Sequence, residues 1–357
     1  MAADDAVELD RLDGAPHPRE TVELFGQDKA EAQFLDAYRS GRMPHAWLIT
    51  GPEGAGKATF AWRAARFVLG NPDPQSAQVK SAGSLATDPN DPTTRKVQAL
   101  SHPDLLFLRR EMRHDSKAVP TEIRVDQVRK ALSFFGSTAG SGGWRVAIID
   151  SMDELNRSGA NALLKLIEEP PPRSLILMVS STPGRLLPTI RSRCRVLRLA
   201  PLSANDLVSA LIQARPDVSE ANAKKAARHA EGSVRMGLAF LDPDRLSIIE
   251  HVEATLSGLP DLDENALLQM ANGLNARDKT ADFETMLETI DRFILDMCRT
   301  RAGEGARRLA PLGEVWEKKF RSAREVDAFN LDRRPIVLSL FNDLADAMRL
   351  VGPGQKY

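Results

Sequence analysis

The sequence predicts an α/β domain with a parallel sheet, followed by a C-terminal part made of helices. Up to about residue 200, short apolar runs alternate with helical patterns, which is typical of a parallel sheet covered on both faces. From Ala204 to Leu350 the patterning is almost only helical. The length of 357 residues exceeds one average domain and fits two or three, at roughly 150 residues each.

Five short segments have the composition of buried strands. Each is a run rich in apolar residues, flanked by turn residues or by the start of a helical pattern. The predicted strands are His45–Thr50, Asp104–Arg110, Trp144–Asp150, Leu175–Ser181 and Arg195–Leu199.

Apolar residues at helical spacing predict the elements between the strands. In the helix before Pro170, for example, Ala160, Leu163 and Ile167 share one face, and the prolines stop the helix. The predicted helices are 28–41, Phe60–Leu69, 122–136 and Ser158–Glu169.

Three stretches are predicted to be irregular. Residues 1–20 are polar and indicate a loose arm. Residues 70–100 are rich in turn residues and weakly apolar, so we expect an irregular insertion. Gly136–Gly143 is predicted to be a loop.

The charge balance and the cysteine count exclude several classes of protein. The 48 basic and 49 acidic residues give a formal charge of −1, which disfavours a large DNA-coating surface. Cys194 and Cys298 alone form neither a disulfide framework nor a four-cysteine zinc site. The sequence shows no signal peptide and no apolar run long enough to span a membrane, so we expect a cytoplasmic protein.

The stretch Gly51–Thr59, GPEGAGKAT, matches the spacing of a phosphate-binding P-loop. It follows a predicted strand and opens a predicted helix, as the motif requires. Glycines allow backbone N–H groups to close around phosphates, and the helix N-terminus adds a positive field. The alternative is a strand–helix turn that needs glycine for geometry only. The candidate nucleotide-binding residues here are Gly51, Gly54, Gly56, Lys57 and Thr59.

Two positions that nucleotide hydrolysis needs are altered. Ala58 stands where a P-loop has the Ser or Thr that ligates Mg²⁺. Thr59, one position later, is expected to point in a different direction around the helix axis. Asp150 ends the third predicted strand, but Ser151 follows it in place of a Glu that would polarise the attacking water. Together these changes indicate a nucleotide fold that no longer hydrolyses nucleotide.

Arg193 is the third candidate, within TIRSRC between the last two predicted strands. A guanidinium at the edge of the domain can reach the γ-phosphate held by a neighbouring subunit. The alternative is an ordinary exposed arginine in a run with Arg191, Arg195 and Arg198. Cys194 by itself indicates a small buried hydrophobic residue.

Together these segments resemble the AAA+ clamp-loader family of bacterial DNA polymerase III, over roughly residues 20–242. The combination of NALLKLIEEPP with SRC is highly specific to that family. Residues 243–357 carry no matching motif. The stretches that carry the resemblance are GRMPHAWLITGPEGAGKAT, SHPDL, IRVDQVRKAL, WRVAIIDSMDELNRSGANALLKLIEEPPP, SSTPGRLLPTIRSRCRVLRLAPLS and EGSVRMGLAFL.

The resemblance implies a three-part chain. Its expected parts are an α/β P-loop domain of the AAA+ RecA-like type over 1–199, a small helical lid over 200–242, and an all-α collar domain over 243–357. The 70–100 insertion lies within the first part.

The resemblance also implies a role in DNA replication. Clamp loaders are five-subunit rings that use ATP to open the sliding clamp and place it on primed DNA. The subunit type that this chain resembles is a stator with a degenerate ATP site, so no intrinsic enzyme activity is expected. It offers the SRC arginine, here Arg193 with Ser192 and Cys194, to ATP on the adjacent motor subunit. Its implied partners are the gamma/tau motor subunits, the delta subunit, the clamp and primed DNA, with no membrane.

The resemblance assigns two further residues and leaves the cofactor question open. Arg235 in GSVRMGL aligns with the sensor-2 arginine of the family, and Asp150 aligns with its strand-end acid. Many members carry a four-cysteine zinc module where residues 70–100 hold no cysteine, so we expect no zinc or other metal. No cofactor is required, but binding of ATP or ADP without hydrolysis stays open because Lys57 and the glycines are kept.

Two other functions are weighed against the stator. An active gamma/tau-type motor ATPase predicts Thr after the P-loop lysine and Glu after Asp150, and the sequence has neither. A small-molecule P-loop kinase explains the glycine-rich loop but neither the long helical C-terminal part nor NALLKLIEEPP.

Overall fold

The computed structural model describes residues 11–12, 14–111, 120, 122–136, 143–276, 279–329 and 332–352, with backbone alone for 320–329. The chain divides into two compact units, Met1–Ala239 and Phe240–Tyr357. The predicted boundaries of the lid, at 200 and 242, stay a prediction.

The first unit is built on a parallel sheet with strand order β2-β3-β4-β1-β5. Every residue of β1, β3 and β4 is buried, which explains why these strands are nearly continuous apolar runs. The predicted α/β fold is confirmed, and all five predicted strands are present. Their bounds are β1 Ala46–Thr50, β2 Leu105–Leu108, β3 Arg145–Ile149, β4 Ser174–Ser180 and β5 Arg195–Arg198.

Helices cover both faces of this sheet, as the buried strands require. One apolar core lies between the sheet and the first two helices. A second lies on the other face, under the fifth and sixth helices. The helices of the first unit are α1 Asp28–Arg39, α2 Lys57–Gly70, α3 Ala77–Ser81, α4 Pro92–Gln98, α5 Val125–Gly136, α6 Arg157–Glu168, α7 Pro188–Arg191, α8 Ala204–Ala214, α9 Glu220–His229 and α10 Val234–Ala239.

The described part of residues 1–20 is held against the domain, so the predicted loose arm is wrong there. His17 is buried, with its ring centroid 6.4 Å from that of Trp62. The buried Arg66 donates a hydrogen bond of 2.7 Å to the carbonyl of Arg19. The polar composition did not predict this packing, because the acceptor of the Arg66 hydrogen bond is a backbone carbonyl, which any residue supplies.

Residues 70–100 are irregular over more than half of their length, as predicted, but include the short helices α3 and α4. Val79, Leu85 and Val97 are buried in the core shared with α1 and α2. The insertion is therefore packed onto the domain. Residues 137–142, most of the predicted loop over Gly136–Gly143, lie outside the described residues.

The second unit is all-helical, as predicted. Apolar residues of its last helix pack inside this unit. Leu340 and Leu344 are buried in the core of this unit. Ile336, Leu338 and Met348 pack against the same core. The helices are α11 Pro243–Ser257, α12 Glu264–Gly273, α13 Thr280–Thr300, α14 Ala306–Phe329 and α15 Arg334–Val351.

In the described part of the chain, no helix has the length and apolarity that crossing a membrane requires.

Candidate nucleotide site and arginine edge

A cavity of about 510 Å³ lies in the first unit, where β1, β3 and β4 end. Ligands of open parallel sheets bind beyond the carboxyl ends of the strands. Gly51, which opens the P-loop directly after β1, is the one predicted nucleotide-site residue that does not line it. The predicted residues that do are Gly54, Gly56, Lys57, Thr59, Asp150 and Arg235.

Two glycines of the P-loop have backbone conformations that other residues rarely adopt. Gly54 has a φ of +77° and Gly56 a φ of +86°. A Cβ atom on Gly54 would lie 2.0 Å from Oγ of Ser233, just before α10. The loop therefore needs glycine both for its own turn and for the close approach of the α10 segment.

Lys57 is buried at the start of α2, and its Nζ donates a 2.7 Å hydrogen bond to the carbonyl of Pro52. Burial lowers the pKa of Lys57, although the carboxylates of Glu53, Asp150 and Asp153 oppose this shift. The three carboxylates therefore offset only part of the cost of burying this ammonium group at the wall of the cavity. A phosphate entering the cavity meets the cation that the P-loop motif assigns to it.

The P-loop and α10 are joined directly. The backbone N–H of Val234 donates to the carbonyl of Gly54 over 2.9 Å. Nε of Arg235 lies 3.2 Å from Oε1 of Glu53. Sequence reasoning missed Glu53, although an acid inside a phosphate-binding loop is a usable signal. The predicted sensor-2 arginine is therefore paired with a carboxylate of the loop itself.

Asp153 connects the turn after β3 to the loop after β4. Its carboxylate accepts hydrogen bonds from Oγ of Ser180 and N of Ser181, both at 2.6 Å, and from N of Thr182 at 3.3 Å. Burial acts to raise the pKa of Asp153, but these hydrogen bonds outweigh it and lower the pKa. The carboxylate of Asp153 therefore links the ends of two neighbouring strands.

The altered hydrolysis positions both line the cavity, as Ala58 and Ser151. Glu154 also lines it, but its carboxylate lies 2.8 Å from Nε of Arg110. Burial raises the pKa of Glu154, while Arg110 opposes the rise. The two acids that follow Ser151 in the sequence are thus engaged, Asp153 by the β4 loop and Glu154 by Arg110.

Arg193 does not line this cavity; it follows α7 at another edge of the first unit. Its Nε lies 3.0 Å from Oε1 of Glu168, the last residue of α6, and its Nη1 donates to the carbonyl of Thr189 over 3.1 Å. Ser192 caps the C-terminus of α7. Cys194 packs against the core, and burial raises the pKa of its thiol to about 12.

Metal ligands are not clustered in the described residues, where no group of three or more His, Cys, Asp or Glu side chains is placed to hold an ion. Cys194 and Cys298 are free thiols. The absence of zinc stays a prediction that rests on the missing cysteines.

Proteins similar to this chain include subunits of DNA polymerase III. A family model described as DNA polymerase III, delta subunit, matches residues 26–203. The DNA polymerase III subunit delta' of Yersinia pestis is 30% identical over 278 residues, which cover 76% of this chain and 75% of that protein. This chain belongs to the DNA polymerase III delta-prime family.

Other relatives match shorter shares of their own length. The delta' subunit of Pseudomonas aeruginosa is 37% identical over 178 residues, 48% of each chain. The gamma/tau subunit of Mycobacterium tuberculosis is 31% identical over 287 residues, 77% of this chain and 46% of the relative. The delta-prime chain thus spans about half the length of these two relatives. A solved structure of the Thermotoga maritima RuvB Holliday junction branch migration motor covers 79% of the chain at 18% identity, with a TM-score of 0.42.

The delta-prime family match includes the P-loop, Asp150 and the SRC motif, and ends before Arg235. The kinase alternative loses its support, because it explained only the P-loop. The fold assignment itself rests on the parallel sheet and its strand order.

Proposed function

We propose that this chain is a non-hydrolysing stator of the DNA polymerase III clamp loader. In this role it supplies Arg193 in trans to ATP on the neighbouring motor subunit while the ring loads the sliding clamp onto primed DNA. The observation that carries the proposal is a P-loop cavity in which both hydrolysis positions, Ala58 and Ser151, lack the required side chain.

The chemistry of the cavity supports the absence of turnover. Alanine has no oxygen to ligate Mg²⁺, and a serine hydroxyl is a poor base for activating water. Asp153 and Glu154 do not compensate, since each already accepts hydrogen bonds or an ion pair. The cavity keeps the binding part of a nucleotide site without its catalytic part.

The position of Arg193 supports action on a second subunit. Its side chain is 42% exposed, and it lies outside the cavity of its own chain. A guanidinium supplied in trans stabilises the charge that develops on the transferred phosphoryl group. An arginine that served its own nucleotide would instead line the cavity.

Nucleotide binding without hydrolysis is part of the proposal. Lys57 offers a cation, and the lining also includes apolar side chains such as Leu24, Phe25 and Leu238, which suit the base of ATP or ADP. No metal is assigned to the cavity. The further partners are the gamma/tau and delta subunits in a five-membered ring, and the proposed location is the cytoplasm.

The second candidate is an active motor of the gamma/tau type, which the similarity to the mycobacterial gamma/tau subunit favours. The two functions differ in turnover by the isolated chain. The stator should show only background ATPase, whereas sustained turnover that disappears in Lys57→Ala would support the motor.

The trans role is tested in the assembled loader. Arg193→Ala should lower ATPase and clamp loading while the complex still assembles. Such arginines contribute about 10³-fold or more in GTPases, and one of several ring sites should show less. Arg191→Ala, two residues away and also exposed, is the matched control. Full activity of the Arg193→Ala loader would contradict the role.

A further inference from the structure

We infer that Glu168 is a positioning residue for Arg193, holding its guanidinium so that the outer nitrogen faces a neighbouring subunit. This inference rests on the proposed trans role and adds a second residue to it. Glu168 is the last residue of α6 and lies within the NALLKLIEEPP stretch.

Two contacts fix the orientation of the Arg193 guanidinium. Nε pairs with Oε1 of Glu168 at 3.0 Å, and Nη1 donates to the carbonyl of Thr189 at 3.1 Å. The contact with Glu168 is an ion pair and the contact with Thr189 a hydrogen bond; because the guanidinium is planar and rigid, the two together restrain its orientation. Nη2 has no hydrogen-bond partner within the described residues and is left for an external anion.

Glu168 stands on a rigid part of the fold. The ring Nε2 of His45 lies 2.7 Å from the carbonyl of Ile167 in the last turn of α6, and Pro170 follows the helix end. The side chains of Leu166 and Ile167 are buried in the core beneath it. Groups supported in this way hold their geometry better than groups on loops.

The location of Glu168 is otherwise unfavourable. A carboxylate at the C-terminus of a helix lies at the negative end of the helix dipole. Arg193 offsets both this dipole and the carboxylate charge. An exposed pair of this kind contributes little to folding stability, so its removal should leave the fold intact and act on the orientation of Arg193.

The experiment uses the full chain assembled with its motor and delta subunits, and measures clamp- and DNA-stimulated ATPase. Glu168→Ala should lower kcat roughly 3- to 10-fold with KM for ATP little changed, since misplacement of a catalytic group acts on the chemical step. Glu169→Ala, the adjacent exposed acid, should retain wild-type kcat. Glu168→Gln keeps an oxygen near Nε but removes the negative charge of the carboxylate. Its kcat should lie between those of the wild type and Glu168→Ala.

A double-mutant cycle separates positioning from a structural effect. In the Arg193→Ala background, Glu168→Ala should cause no further loss. Equal losses in both backgrounds, or unchanged or raised activity of Glu168→Ala, would overturn the inference.

If Glu168→Ala did not assemble, the isosteric Glu168→Gln is compared in the same cycle. If Arg193→Ala lowers activity but Glu168→Ala does not, only this inference fails. If Arg193→Ala itself has no effect, the trans role fails as well.

Discussion

Glu53 of the P-loop and Arg235 of α10 form an ion pair, with Oε1 and Nε 3.2 Å apart at the wall of the cavity. A phosphate that enters the cavity competes with this carboxylate for the guanidinium. Glu53 also adds negative charge near Lys57. The loop therefore contains its own competitor for an anionic ligand.

We expect Glu53→Gln to tighten ATP or ADP binding by the isolated chain about 1.4-fold to fivefold. The range follows from the 0.2–1 kcal/mol that an exposed pair is worth. Titration with a fluorescent nucleotide measures the Kd. Glu169→Gln, an exposed acid outside the cavity, controls for the change in net charge. Weaker nucleotide binding by Glu53→Gln would contradict the idea that Glu53 competes with phosphate for Arg235.

Lys57→Met should stabilise the first unit at neutral pH by on the order of 1 kcal/mol. Burial lowers the pKa of Lys57 in the folded state, so the protonated side chain costs stability at every pH below that pKa. As pH rises through the folded pKa, Lys57 loses its proton and the cost disappears. The difference in the free energy of unfolding between the variant and the wild type should therefore shrink as the pH approaches about 10.4, the pKa of lysine in the unfolded chain.

Urea unfolding followed by tryptophan fluorescence measures this gap, because Trp47, Trp62 and Trp144 report on the first unit. Lys29→Met, at an exposed position of α1, is the control. A gap that stays constant from neutral to alkaline pH would show that the lost charge is not its cause.

Asp153→Ala should lower the free energy of unfolding by about 1 kcal/mol near neutral pH. The N–H groups of Ser181 and Thr182 lose their acceptor, and a lost hydrogen bond costs about this much where water can partly replace it. The folded pKa of Asp153 is lowered by these hydrogen bonds despite burial. Its contribution is therefore present above about pH 3.9 and is lost as pH falls through the folded pKa.

Unfolding at neutral and at acid pH provides the measurement, with Asp126→Ala in the first turn of α5 as the control. Convergence of Asp153→Ala and wild type at low pH is the expected result. An equal difference at both pH values argues against a role of the ionised carboxylate.

Ala58→Thr should make nucleotide binding depend on Mg²⁺. The new hydroxyl follows Lys57 at the position from which P-loop proteins ligate the metal, and Ala58 already lines the cavity. We expect EDTA to weaken binding by the variant several-fold and to leave wild-type binding unchanged. Ala58→Val has the same shape without the oxygen and should behave as wild type. Equal affinity of Ala58→Thr with and without EDTA refutes a ligating geometry at this position.

Local sequence pattern predicted the sheet, the helices that cover it and the P-loop, because each depends on the spacing of nearby residues. The residues that Asp153 contacts, from Ser180 to Thr182, could not be predicted, since they come from a strand that the chain reaches later. The same holds for the contact of Arg66 with the carbonyl of Arg19. Backbone acceptors look alike in every sequence, so only the folded chain shows which side chain meets them.

The pairing of Glu53 with Arg235 was equally hidden, because four strands of the sheet, β2 to β5, lie between the two residues in sequence. The altered positions Ala58 and Ser151 were found from the sequence alone, since a motif fixes what should stand there. The sequence thus revealed that the metal-ligating hydroxyl and the catalytic carboxylate are missing from the cavity. The structure revealed which charged side chains line the same cavity.

The half-buried thiol of Cys194 has a chemical consequence for the arginine beside it. Oxidants and alkylating reagents attack the thiolate, and a thiol with a pKa of about 12 holds almost none of that form at neutral pH. Sulfenylation or glutathionylation next to Arg193 is therefore disfavoured during oxidative stress. A dye attached through a newly introduced surface cysteine can thus report on this edge of the subunit with little competition from Cys194.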